Sequence, residues 1–334
     1  MASPVLRVGL IGHGTVGSAF ARALHGDAPR IEQRCGFRLS LARIAVRSPE
    51  LVRAHRTSGA TPIQFTGNAG ALAGDASLPI VVEASGAPDA AQWLRSALDR
   101  GAAAVTANKR ALADDDALLT ALAHGEPRLW CEAAVAAAVP IVRALRDSLQ
   151  GERVLGVRGV INGTSTFVLS RVEAGASPSE AVEEARAAGY AEFDPSADLD
   201  GSDAASKVAI LATLAWGRPV RRADVRVRGL DATAFAEARA AVAHGLAVRL
   251  VARAERDPGS GRVTATVSPV ALSASDPLSR ATGVQNVVEV RCERAGTLTW
   301  FGAGAGGEQT ASALLADTIS AARAIAPATL RRAS

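Results

Sequence analysis

Lysine, cysteine, methionine and aromatic residues are all scarce in this 334-residue chain. Each scarcity excludes something. Aromatic residues make up 4% of the sequence, which leaves little material for stacking on nucleic-acid bases. The formal net charge is +4 and the isoelectric point is near 9.5. The arginines behind that charge are scattered, and no block of five or six basic residues occurs, so no nucleic-acid partner is expected. The three cysteines, Cys35, Cys131 and Cys292, stand far apart with no CxxC spacing. That argues against a disulfide framework or a zinc site and fits a reducing cytoplasm. No run approaches the roughly 20 consecutive apolar residues that a membrane helix needs. Strand-like sequence begins by Val5, which leaves no room for a targeting peptide, and no membrane partner is expected.

Hydrophobic residues make up 48% of the chain, enough for a substantial and mainly aliphatic core. The length suggests two domains at about 150 residues each. Of 37 basic residues only two are lysine, Lys109 and Lys207. Arginine does not give up its proton in a protein, whereas lysine can titrate and presents a compact point charge. A chain this averse to lysine retains it either by accident or where an ammonium is required, and the count alone does not decide between these. The surroundings of each lysine do.

The N-terminal region reads as strand, glycine turn, helix. Val5 to Ile11 is an apolar run, Gly12-His13-Gly14-Thr15-Val16-Gly17 follows, and a helical run spans Ser18 to Leu24. In a GxGxxG turn the first glycine permits the tight bend, the second lets backbone approach a pyrophosphate, and the third packs helix on strand. Gly12, Gly14, Thr15, Val16 and Gly17 are therefore candidate dinucleotide-binding residues. Further strands are expected at Leu39 to Val46, Ile80 to Ala84, Ala102 to Thr106 and Leu129 to Glu132, with a helix over Ala90 to Arg100. This alternation predicts an α/β fold with a Rossmann-type, doubly wound parallel sheet. Ser85 follows the third of these strands and joins the candidate cofactor residues. Lys109 follows the fourth, at the end of the sheet where such folds bind ligands.

From about residue 132 the pattern changes. Helices are expected at Pro140 to Leu149, Pro178 to Ala188 and Ala204 to Trp216, and strands at Val154 to Ile161, Arg262 to Val267 and Asn286 to Cys292. This predicts an α+β substrate domain over 132–302, beside a dinucleotide domain over 1–131. A glycine-rich turn at 302–307 leads to a helix over Thr310 to Ala326, expected to pack back on the first domain, so that 303–334 completes it.

The segment from Gly189 to Lys207 holds five carboxylates, Glu192, Asp194, Asp198, Asp200 and Asp203, with the only tyrosine and one of the two lysines. Asp203 and Lys207 lie at i and i+4, on one helix face. Capping and solubility account for two or three of the acids. They do not account for Tyr190 and Lys207, and the cluster suits a ligand with an ammonium group. The segment Asn162-Gly163-Thr164 ends a strand and opens a helix. It is either a site for a carboxylate or an ordinary Asn-Gly turn.

The sequence resembles the homoserine dehydrogenases over nearly its whole length. The resemblance lies in GHGTVG at 12–17, TANK at 106–109, CEAAVAAAVP at 131–140 and GVINGTSTF at 159–167. It continues through GYAEFDPSADLDGSDAASK at 189–207, DPLSRATGVQN at 276–286 and FGAGAGGEQTASALLAD at 301–317. It implies a reversible interconversion of L-aspartate 4-semialdehyde and L-homoserine with NADP or NAD. By the same resemblance Lys207 donates a proton to the aldehyde oxygen, and Lys109 assists between nicotinamide and substrate. Glu192 and Asp203 match carboxylates that hold the substrate amino group, with Asp198 nearby and Thr164 among the substrate-binding residues. Gly304 meets the cofactor. A sodium-like ion is implied at the backbone carbonyls around Glu132, Val135, Ala137 and Val139, and a homodimer through the second domain.

Two departures stand out. Ala136-Ala137-Ala138 replaces the glycine run usual in the family, and Thr166 replaces an asparagine. The added methyl groups are expected to narrow the site, which opens two alternatives: reduction of another small carbonyl compound, or a weakly active NADP(H)-binding protein. Many relatives also continue into a threonine-sensing domain. No segment is left over for one here, and insensitivity to threonine is expected.

Arg47 follows the second strand, where NAD-selective folds tend to place an acid for the ribose hydroxyls. An arginine there suits a 2′-phosphate. Arg47→Asp is expected to lower the ratio of NADP to NAD efficiency by about tenfold or more, as fits a lost charge-assisted contact. Steady-state kinetics with both cofactors checks this, and an unchanged ratio contradicts it.

Overall fold

The structure is a computed structural model that describes residues 3–52, 63–191 and 193–326. The chain divides into two compact units. One comprises Met1–Ala121, Gly125–Ala134 and Gly306–Ser334, the other Leu122–His124 and Val135–Ala305.

The first unit holds β1 (Val5–Ile11), β2 (Arg38–Ala45), β3 (Gln64–Thr66), β4 (Ile80–Glu83), β5 (Ala103–Thr106) and β6 (Leu129–Trp130). Their spatial order is β3-β2-β1-β4-β5-β6, and every pairing is parallel. This is the doubly wound dinucleotide-binding order, with its switch point between β1 and β4. All four residues of β4 and of β5 are buried, as parallel strands covered on both faces must be. The helix Thr15–Gly26 buries Ala19, Phe20 and Leu24 in the same core as Val8, Leu10, Ile80, Val82 and Val105. The tail helix Gly307–Ile325 adds Ala311, Leu314, Ala321 and Ala322 to that core.

The second unit holds β7 (Val154–Val160), β8 (Arg226–Val227), β9 (Leu246–Arg256), β10 (Val263–Ser273), β11 (Gln285–Cys292) and β12 (Thr297–Ala303), ordered β12-β11-β7-β9-β10-β8. The pairings are antiparallel except that of β8 with β10. Helices Gly163–Glu173, Pro178–Ala187 and Ala232–Val242 share a core built from Val168, Leu169, Val172, Ala181, Ala185, Ala238 and Val248. The helix Ser202–Trp216 is buried at every position from Asp203 to Thr213.

Element boundaries differ from the sequence reading in a few places. The helix expected over Pro140 to Leu149 starts at Ile141, since Pro140 takes the non-helical backbone of an N-cap (φ −80°, ψ 61°), and after Arg143 it widens into a π-turn over Ala144–Ser148. The strand expected to reach Glu132 ends at Trp130, and Glu132–Ala134 forms a 3₁₀ turn. The glycine-rich turn starts later than expected because β12 runs through Ala303. Ala136 and Ala137 are buried with φ of 56° and 45°, whereas Ala138 is exposed. They are the only non-glycine residues in the left-handed region among those described.

A left-handed backbone costs an L-residue about 1–2 kcal/mol, and glycine escapes most of that at some cost in unfolded-state entropy. Ala136→Gly and Ala137→Gly together are expected to raise stability by about 1 kcal/mol net. The urea midpoint should rise with the m-value unchanged. A fall in the midpoint contradicts the strain.

Candidate active site

The second unit gathers a polar cluster at the junction of β7 and two helices. Asn162 follows β7 with extended backbone and caps the helix Gly163–Glu173 by accepting the Ser165 N–H at 2.8 Å. Capping uses only the oxygen of the carboxamide. The nitrogen is left to donate to Asp198 Oδ1 at 2.6 Å and to Asp203 Oδ2 at 2.9 Å. Asp203 lies in the first turn of the helix Ser202–Trp216, where the helix dipole favours an anion. One turn on, Lys207 Nζ lies 2.7 Å from Asp203 Oδ2 and donates to the Ile161 carbonyl at 2.8 Å. Asn162, Asp203 and Lys207 are all buried. The sequence reading thus finds Asp198, Asp203 and Lys207 brought together, and it missed Asn162 as their link. Only the place of an asparagine immediately before a helix is visible in the sequence; its link to the acidic loop is not.

Glu192 lies outside the described residues. Asp194 and Asp200 are exposed and serve local turns: Asp194 accepts from Ser196, and Asp200 accepts the Ser202 N–H at 2.7 Å. They match the capping share of the acidic loop. Thr164 is buried and donates its hydroxyl to the Tyr190 carbonyl at 2.7 Å, tying the acidic loop to the helix N-terminus. Tyr190 packs edge-on against Phe167. Thr166 donates to the Asn162 carbonyl at 2.8 Å.

In the first unit the glycine turn occupies the switch point. Gly12 has φ +92°, and a Cβ there would lie 2.7 Å from Ser85 Cα. A Cβ on Gly17 would lie 2.1 Å from the Gly12 carbonyl oxygen, so helix and turn meet backbone to backbone. At Gly14 a Cβ would meet nothing within 4 Å. Gly14 begins the helix Thr15–Gly26 with no side-chain cap. An open approach to a twelve-residue helix N-terminus, with backbone N–H groups and a positive dipole end, fits a dinucleotide pyrophosphate. Thr15 and Val16 start that helix. Arg47 is exposed, two residues past β2. Lys109 is half-buried and opens the helix Lys109–Ala113, capped by the Asn108 side chain.

Glu132 is buried, and its N–H donates to Asp317 Oδ2 at 2.8 Å. Val135, Ala137 and Val139 are buried, and the Val139 carbonyl accepts the Ile141 N–H at 2.8 Å. Among the described residues no three His, Cys, Asp or Glu side chains stand together as metal ligands. Gly304 packs against Asn286: a Cβ at 304 would lie 2.0 Å from the Asn286 carboxamide carbon. Asn286 is fully buried, and neither polar atom of its carboxamide has a partner among the described residues.

A parallel sheet with a glycine turn at its switch point, joined to a unit carrying a buried lysine among carboxylates, defines the class: an NAD(P)-dependent oxidoreductase. The chain belongs to the homoserine dehydrogenase family. Residues 140–319 match the homoserine dehydrogenase family model, and residues 12–129 match the homoserine dehydrogenase NAD-binding domain. It is 39% identical over 323 residues to the homoserine dehydrogenase of Mycobacterium tuberculosis strain H37Rv, covering 95% of this chain and 72% of that one. The Corynebacterium glutamicum enzyme is 37% identical over 322 residues, with the same coverage. A crystal structure of a homoserine dehydrogenase from Thiobacillus denitrificans superposes with a TM-score of 0.84 at 32% identity, covering 96% of this chain and 73% of that one. A hyperthermophilic archaeal homoserine dehydrogenase mutant in complex with NADPH gives 0.80 at 28% identity, covering 96% and 99%.

Burial pushes the Asp198 carboxyl above its usual range, and Asp203 adds to the rise, while the hydrogen bond from Asn162 and the charge of Lys207 oppose it. A carboxyl raised in the folded state binds its proton more tightly there than when unfolded. Its contribution to stability is therefore greatest at low pH and falls as pH rises through the unfolded value towards the folded one. Asp198→Asn removes that cost. It is expected to melt above wild type at pH 7, with the gap closing towards pH 3. Activity should fall about tenfold or more, as fits the loss of one charge-assisted contact. Melting curves across that range check the sign, and a variant less stable than wild type at pH 7 contradicts it.

Proposed function

We propose that this protein interconverts L-aspartate 4-semialdehyde and L-homoserine with NAD(P), and that Lys207 is the proton donor. The observation that carries the reading is the buried Lys207–Asp203 pair, joined through Asn162 to Asp198. With both carboxylates ionised against one ammonium, the cluster has a net charge of −1. That suits a substrate which brings an ammonium of its own. Asp198 and Asp203 receive it, with Glu192 as a third carboxylate and Thr164 bracing the acidic loop.

The bound nicotinamide supplies or accepts the hydride at the carbonyl carbon. Reduction builds negative charge on the carbonyl oxygen. Lys207 stabilises that charge and then neutralises it with a proton. Its ammonium has three N–H groups. Asp203 and the Ile161 carbonyl take two, which leaves the third for the substrate oxygen. In the reverse direction the lysine amine takes the hydroxyl proton. Lys109 would assist at the nicotinamide of a cofactor whose pyrophosphate Gly12, Gly14, Thr15, Val16 and Gly17 would hold, with Ser85 beside them.

NADP is the preferred cofactor in this reading, and the exposed Arg47 supports it. Gly304 is a further cofactor contact, supported by the unpartnered Asn286 carboxamide beneath it. A monovalent cation would rest on the carbonyls of Val135, Ala137 and Val139, with Glu132 as the further ligand, because oxygen donors suit a hard ion. A homodimer through the second unit is supported by the edge strand β12, which leaves Phe301 exposed. A cytoplasmic setting is supported by three unbonded cysteines.

Lys207→Arg keeps the charge but cannot release a proton. It is expected to fold and to lose kcat by roughly 10²–10⁴-fold. The Michaelis constants should move much less, since the loss falls on the transition state. Half or more of the wild-type kcat in this variant contradicts the assignment.

A further inference from the structure

Glu83 is fully buried at the last position of β4, and no basic side chain pairs with it among the described residues. A carboxylate taken from water without a cation is costly unless hydrogen bonds replace its hydration. Here three donors do so. Oε1 accepts the Ser85 N–H at 2.7 Å and the Ser85 hydroxyl at 2.6 Å, and Oε2 accepts the Thr106 hydroxyl at 2.8 Å. Both hydroxyls pass the order on. Ser85 Oγ accepts the Ala87 N–H at 3.1 Å, and Thr106 Oγ1 accepts the Asn108 N–H at 2.9 Å. Asn108 in turn caps the helix that Lys109 opens.

The sheet register explains why one carboxylate serves both loops. Glu83 lies between Ile11 of β1 and Thr106 of β5, each the last residue of its strand. Gly12 follows Ile11, and its backbone packs against Ser85 closely enough to exclude a Cβ. The carboxylate thus sits under the switch point, at the roots of the glycine turn, the Ser85 turn and the Lys109 turn. An aliphatic residue in its place would leave the two hydroxyls and the Ser85 N–H without their acceptor.

We propose that Glu83 is a positioning residue. It fixes Ser85 against the glycine turn through one oxygen, and through the other it fixes Thr106, Asn108 and so the start of the Lys109 helix. The inference rests on the reading above in which Ser85 and Lys109 serve cofactor binding and catalysis. Its own content is that two loops are set by one buried acceptor.

The two arms can be separated by experiment. Glu83→Gln keeps the size of the side chain but replaces one acceptor with a donor facing donors. It should weaken NADPH binding, read by fluorescence titration without substrate, and lower kcat, each by about tenfold or more. The KM for homoserine should stay within about twofold, because the substrate cluster is untouched. Thr106→Val cuts only the second arm. It should lower kcat by about tenfold while NADPH binding stays within about threefold, and Thr106→Ser should restore the rate. All rates are taken per folded site, so a merely structural role moves none of these ratios. Wild-type NADPH affinity and kcat in Glu83→Gln overturn the proposal. If that variant fails to fold, a wild-type kcat in Thr106→Val overturns it. Lys109→Ala distinguishes the two levels of inference. A slow Lys109→Ala beside a fast Thr106→Val sinks the positioning role and leaves the Lys109 reading intact. A fast Lys109→Ala sinks the Lys109 reading and the second arm with it, while the NADPH titration still judges the first.

Discussion

A lysine ammonium inside an apolar helix has to be met by oxygen atoms, and much of the second unit follows from that requirement. Lys207 sits in a stretch of eleven consecutive buried residues, Asp203 to Thr213. An ion there is tolerable only when paired and hydrogen-bonded. Asp203 supplies the charge one turn earlier on the same helix, and the end of β7 supplies a carbonyl. Two carboxylates near one ammonium would repel each other without a neutral donor between them. Asn162 is that donor, and its place as a helix cap fixes its orientation. Strand end, helix cap and acidic loop are thus tied to the same charge.

The first unit meets a different constraint, the close approach of backbones. Gly12 and Gly17 bring turn, helix and β4 loop within distances that no side chain allows. The uncapped N-terminus of the helix Thr15–Gly26 is a consequence of that packing, and its N–H groups suit an anionic ligand. Glu83 lies beneath, between Ile11 of β1 and Thr106 of β5.

The parts of this arrangement that the sequence makes legible are those with local rules. The glycine spacing after an apolar strand identifies the turn, and the i, i+4 spacing of Asp203 and Lys207 puts them on one face. The rarity of lysine drew attention to both lysines, and Lys207 proves to be buried among acceptors. Long-range pairings were not legible in the same way. Asn162 reads equally as a turn residue until Asp198 and Asp203 arrive from 36 and 41 residues away. Glu83 reads as one acid in an apolar strand, and only the register with Thr106 shows what it holds. The alanines at 136 and 137 stood out as substitutions, but their left-handed backbone depends on the tertiary fold. Boundaries slipped where a proline, a π-turn or a lengthened strand ended an element that periodicity alone would continue.

The central claim is that the Asp198–Asn162–Asp203–Lys207 cluster recognises the substrate's ammonium, carried two carbons from the carbon that reacts. Comparing L-homoserine with 4-hydroxybutanoate, the same alcohol without its amino group, tests it most directly. Both are offered to the purified protein with saturating NADP, and NADPH formation is followed. The account predicts oxidation of L-homoserine and a kcat/KM for 4-hydroxybutanoate lower by about 10²-fold or more, since the cluster's negative charge is then left unpaired. Equal efficiency for the two alcohols, or no turnover of L-homoserine, would contradict it.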